Sequence, residues 1–323
     1  MQPGVYEVQG HGGGDATVTF SMIEPSNERR LRSMNIKERI LNKERSWTDI
    51  LPLVFIQAIL WMEAGGFLSV EVFKAGRMGY LFTDNAAVAE DIGSYMSSVG
   101  SCVAIISALL IFKKNRSLLK PLGKSVVTGS AIGLASGFAL NAAIAAGAAA
   151  TGCLTLTMNS IQVLPIIGYL IAILFQSAGE ELICRLFIMG KLRRRYKSPA
   201  VAIIGNSLFF TVFHLGNPGI TVVSIVNLIA VSVFFSLIVY CTENLWIAIG
   251  LHTAWNFTQT ILFGLPNSGM TSPYSIFKAV NTADGFCYNT GFGVEGSWAA
   301  FVVIALAASA VILLSRKRKF SVR

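Results

Sequence analysis

The sequence predicts an all-α, polytopic transmembrane helical bundle of about eight spans, with both termini cytoplasmic. Three observations carry that prediction. Of 323 residues, 53% are hydrophobic and only 13% charged, and the mean hydropathy is +0.61, a balance foreign to soluble domains. Apolar stretches approaching the roughly 20 residues a bilayer-spanning helix needs recur eight times along the chain. Finally, 22 of the 26 Lys and Arg residues fall in four clusters, which an eight-span path places on a single side, as the positive-inside rule requires.

The elements follow in order. Residues 1–47 read as a cytoplasmic tail, beginning with a flexible stretch around Gly12-Gly13-Gly14. No apolar signal-peptide core is seen there. From 34 to 47, Met34, Ile36, Ile40, Leu41 and Trp47 alternate with basic and acidic residues. That pattern suits a helix lying on the anionic inner leaflet, or an ordinary basic flank that fixes orientation. The bundle occupies 48–315, with spans expected at 51–73, 92–112, 124–147, 163–189, 200–216, 220–241, 244–264 and 297–315. A basic tail, 316–323, closes the chain. The net charge of +9 could suggest nucleic acid, but its confinement to one face of a membrane protein argues for a lipid bilayer as partner instead.

Five cysteines form no zinc knuckle and no CxxC pair. Cys102, Cys184 and Cys241 fall in spans, whereas Cys153 and Cys287 fall in loops on the outer side, where a disulfide between them is chemically open. The Ala/Gly-rich run from Ser130 to Ala150 reads as a close helix-packing surface, and Asn141 and Asn227 as interhelical hydrogen-bond formers.

The chemistry concentrates in Glu180-Glu181-Leu182-Ile183-Cys184-Arg185, which lies at membrane depth. Ionisable groups there cost at least a few kcal/mol each and so need a partner or a task. On a helix Glu181 and Arg185 are i,i+4 and can pair. Glu180 is rotated by about 100° and can face a cavity as a general base. A purely structural cluster explains the same residues equally well. Two of the three histidines, His214 and His252, lie in later spans. His252 and Asn256 share a helix face, where they could hold a substrate carbonyl and steady an oxyanion. Glu180, His214 and His252 would also make the three protein ligands of an open zinc site. Glu63 in the first span could be a second pathway residue, a partner for Arg185, or an exposed side chain where the helix bends at Gly65-Gly66.

The series E-E-x-x-x-R, F-x-x-x-H and H-x-x-x-N on successive spans resembles the CPBP family. These are the CAAX-protease and bacteriocin-processing (Abi) intramembrane metalloproteases, related to the type II CAAX prenyl endopeptidases. The matching residues are Glu180, Glu181 and Arg185, Phe210 and His214, and His252 and Asn256, within a protease core of about 163–264. Leu186 stands where the family often has glycine. The resemblance implies an intramembrane endopeptidase of a bacterial plasma membrane acting on a membrane-associated or lipid-modified peptide or protein. Glu180 and His214 would activate water, His252 and Asn256 would stabilise the oxyanion, and Glu181, Arg185 and Phe210 would support the site. It leaves open Zn2+ bound by Glu180, His214 and His252, or a metal-free glutamate mechanism. The alternative is a non-catalytic membrane scaffold or bacteriocin-immunity protein of the same fold.

No HExxH zinc helix is present, and Gly205-Asn206-Ser207-Leu208 lacks the second glycine of a rhomboid-like serine motif. A transporter would show doubled hydropathy repeats with broken helices, and none is seen. Counting the helical rise places Glu180 and His252 about 12 Å from the inner surface but His214 nearer 21 Å. Cleavage is accordingly expected near the cytoplasmic side, with the depth of His214 unresolved.

Overall fold

Ten helices and one two-stranded ribbon make up the described residues, which are 40–42 and 45–321, with side chains to Ser315, in a computed structural model. The interfacial helix expected over 34–47 falls mostly outside them. The helices are α1 (Leu51–Phe67), α2 (Ala86–Met96), α3 (Ser98–Ile111), α4 (Val126–Ala150), α5 (Val163–Glu181), α6 (Met189–Arg195), α7 (Pro199–His214), α8 (Val222–Thr242), α9 (Leu245–Phe257) and α10 (Trp298–Ser321). Wide π-helical turns prolong α1 over Leu68–Val72, join α5 to α6 over Leu182–Ile188, and prolong α9 over Thr258–Leu262. With α2–α3 and α5–α6 each read as one span, eight helical passes result, one for each expected stretch.

Six passes are long and apolar enough to cross a membrane: Leu51–Val72, Ala86–Ile111, Val126–Ala150, Val163–Arg195, Val222–Thr242 and Trp298–Ser315. The protein is thus an integral membrane bundle. Its outer surface is apolar, with Leu60, Val127, Val222 and Leu306 each more than 60% exposed, a surface only lipid can cover. The two passes outside this set are α7, with 16 residues, and α9 with its π-helical turn. These two carry His214 and His252. The second pass begins six residues before the expected start, because Asn85 caps α2 by accepting from Val88 N at 3.2 Å. Its Asp91 lies against Tyr169 Oη and Ser272 Oγ at 2.8 and 2.7 Å.

Among the described residues, the basic segments 113–124 and 191–197 gather at one end of the bundle. Buried Asp49 holds Lys191 at 3.5 Å and Arg194 at 2.7 Å, while Arg194 also reaches Asn115 Oδ1 at 3.0 Å. Arg195 donates to Ser46 O at 2.8 Å, and Lys120 bridges Glu243 at 3.1 Å. At the opposite end, β1 (Thr155–Met158) pairs antiparallel with β2 (Phe277–Val280), Thr155 opposite Val280. All five cysteines there and elsewhere are free.

α4 packs along α9 through glycines four residues apart. A Cβ on Gly133 or Gly137 would meet Ile247 O at 2.3 Å or Leu251 O at 2.2 Å. Close backbone approach through small residues is how helices associate where lipid supplies no hydrophobic drive. The Ala/Gly-rich run is therefore the packing surface its composition suggested, and it seats the helix that carries His252 and Asn256.

Candidate active site

α5 presents one polar face towards α9. Gln176 and Glu180, i,i+4 on that face, are hydrogen-bonded through Gln176 Nε2 and Glu180 Oε1. Asn256 Nδ2 donates to Gln176 Oε1 at 3.0 Å, so Asn256, Gln176 and Glu180 form a continuous chain. His252, one turn before Asn256 on α9, brings Nε2 to 3.8 Å from Glu180 Oε2. Its other nitrogen, Nδ1, donates to Glu181 Oε1 at 3.0 Å.

Glu181 and Arg185 form the structural pair. Both side chains are fully buried and meet at 3.0 Å. Arg185 Nη2 donates to Ser232 Oγ at 2.8 Å, and the guanidinium lies 5.0 Å from the Phe210 ring centre and 5.3 Å from that of Phe235. Two aromatic faces, a hydroxyl and a carboxylate together offset the desolvation that a buried cation would otherwise suffer. The intervening backbone is π-helical, a widening frequent at functional sites, yet the i,i+4 pair expected of an α-helix is kept. Phe210 thus supports the site by covering Arg185.

Phe210 also stacks on His214, ring centres 4.3 Å apart. His214 Nδ1 lies 2.7 Å from Phe210 O. A carbonyl only accepts, so Nδ1 carries a hydrogen, and in the neutral ring Nε2 is the acceptor.

Glu180, His214, His252 and Asn256 line a single cavity of about 160 Å³, along with Gln176 and Asn227. Two buried acceptors in its lining, Glu180 Oε2 and Asn227 Oδ1, have no hydrogen-bond partner. Unpaired polar atoms at that depth are costly unless something binds them. His252 is the imidazole beside Glu180, and His214 lies at the last residue of α7. Among the described residues no three His, Cys, Asp or Glu side chains stand close enough to hold a metal ion. As placed, Glu180, His214 and His252 do not fit one shared ion.

Gln176 and Ser232 were missed in the sequence. Gln176 carried a signal, since Q-x-x-x-E puts it on the face of Glu180; Ser232 carried none, being one of several serines along α8. Glu63 is exposed and not the partner of Arg185. Asn141 Nδ2 bonds Gln259 Oε1 at 2.8 Å across helices, and Asn227 Nδ2 bonds Glu295 O and Ser297 O at 2.7 and 2.8 Å.

Residues 162–258 match the family model of the Type II CAAX prenyl endopeptidase Rce1-like proteins. The match covers about a third of the chain, runs from α5 through α9, and contains all seven motif residues. The resemblance read from those motifs is borne out over that segment. No curated protein and no solved structure matches the chain.

Proposed function

We propose that the protein is an intramembrane endopeptidase in which Glu180 activates a water molecule. One observation carries the reading. The Rce1-like segment brings a carboxylate, two imidazoles and four carboxamides into the lining of one cavity, with Glu180 Oε2 buried and unpartnered. Water bound between Glu180 and His252 would lose a proton to Glu180 as it attacks the scissile carbonyl. Gln176 orients the Glu180 carboxylate by donating to Oε1, leaving Oε2 for the water.

The tetrahedral intermediate needs donors at its oxyanion. Asn256 Nδ2 has one hydrogen on Gln176 and a second to offer. An Nε2–H on His252 requires the doubly protonated ring, for which Glu181 at 3.0 Å is the counter-ion. Collapse returns the proton from Glu180 to the leaving amine, which restores the carboxylate. His214 Nε2, an acceptor in the cavity wall, serves to hold the water or a substrate N–H. Partners are then a membrane-associated peptide or protein and the bilayer itself, not nucleic acid.

Zinc is a separate question with its own measurement: elemental analysis of purified protein beside activity under chelation. The function is tested by comparing peptides released from membranes carrying wild-type protein with those carrying Glu180→Gln. Fragments present only with wild-type protein support an endopeptidase and give the cleavage site. Identical peptide populations, with both proteins inserted, would reject it.

A further inference from the structure

The cavity opens at the end of the bundle opposite the basic segments 113–124 and 191–197. Its lining reaches Asn217 in the α7–α8 loop, Asn267, Ser268 and Met270 after α9, and Glu295 before α10. Along α8 it extends from Ser224 to Phe235, a rise of about 16 Å. Towards the basic end it is closed. Arg185 fills the space between Phe210 and Phe235, and below it Leu186, Ile188, Leu192, Val239 and Ala248 are packed with at most 1% exposure. A separate hollow of about 270 Å³ on the basic side stops at Arg185 and shares no lining residue with the cavity.

The mouth is built rather than frayed. Glu295 accepts from Trp255 Nε1 at 2.8 Å and from Ser268 N and Oγ at 2.8 and 2.9 Å. Asn217 Nδ2 donates to Ser268 O at 2.9 Å. These bonds tie three loops into a fixed rim. Between the rim and Glu180 lies Asn227, 2% exposed, with both Nδ2 hydrogens engaged and Oδ1 unpartnered. A lone acceptor one turn below the rim suits the backbone N–H of an extended chain.

Basic clusters mark the cytoplasmic face of a membrane bundle. We infer that the substrate reaches this site from the extracytoplasmic side, as an extended polypeptide segment. The inference rests on the endopeptidase reading and narrows it, since lipid-modified tails held at the inner leaflet face the closed end. The expectation of cleavage near the cytoplasmic side is then replaced by access from the opposite one.

The test reads access without needing catalysis. Single cysteines are placed at the rim (Met270→Cys), midway in the cavity (Leu228→Cys, with Val231→Cys should the first fail to insert) and at the basic end (Ser117→Cys). Intact cells receive a small membrane-impermeant thiol reagent, and adducts are located by peptide mass mapping, which separates them from the native cysteines. Adducts at positions 270 and 228, with 117 modified only after permeabilisation, are expected. Labelling of 117 from outside, or a cavity cysteine not reached from outside, would overturn the inference. Loss of cleavage in Glu180→Gln is scored separately, so a wrong access side and a wrong activity give different results.

Discussion

Glu180 and Glu181 are adjacent in sequence and opposite in circumstance. Glu181 is fully buried and bonded to both Arg185 and His252, while Glu180 is 29% exposed in its side chain and keeps one oxygen unpaired. Glu181→Ala strands a buried guanidinium, and breaking such a pair costs about 3–5 kcal/mol. Its expected outcome is low yield and a lowered melting temperature in detergent. A stable but inactive Glu181→Ala protein would reverse the roles of the two glutamates. Gln176→Ala removes the donor that orients Glu180 and the acceptor for Asn256. Cleavage should fall by about 10²-fold at near-normal stability, the scale set by misplacing a catalytic group; unchanged kcat would remove Gln176 from the account. The i,i+4 rule made the Glu181–Arg185 pair legible from sequence alone. The meeting of His252 with Glu180 was expected from the motifs and their matching depths, but the bond from His252 to Glu181 was not, because it depends on how α9 rolls against α5.

At the level of elements, the glycine stripe of α4 sets the position of α9 and hence of His252 and Asn256. Gly133→Leu cannot be seated without displacing α9, since even its Cβ would lie 2.3 Å from Ile247 O. Aggregation or loss of the monodisperse peak on gel filtration is expected. Gly66→Leu, whose Cβ meets nothing within 4 Å, is the matched control and should behave as wild type. Apolar length announced the six long passes, because bilayer thickness fixes it. Three other features left no trace in hydropathy. The early start of α2 depends on an Asn85 cap, the ribbon of β1 and β2 lies in polar loops, and the π-helical turns conserve composition while changing register. α7 ends at His214, which lines the cavity from the last residue of a short helix.

Across the whole molecule, charge divides the two ends and the site lies between them. The basic end is fastened by Asp49 and by the Lys120–Glu243 bridge. That bridge draws the Glu243 carboxyl below its ordinary value, chiefly through the hydrogen bond from Lys120. A carboxylate with a depressed folded value stabilises above its ordinary range and loses that contribution as pH falls through the depressed one. Both partners are substantially exposed, so Lys120→Ala should cost only about 0.5 kcal/mol near neutrality, and the difference from wild type should vanish in acid. A difference that grows in acid would contradict the assignment.

The central claim is that Glu180 is the base and Glu181 the brace of a single buried site. Cleavage by purified Glu180→Gln protein, with folding followed by its thermal melt, tests it most directly. The account predicts a melt like that of wild type and no detectable cleavage. Cleavage at the wild-type rate by a folded Glu180→Gln protein would contradict it.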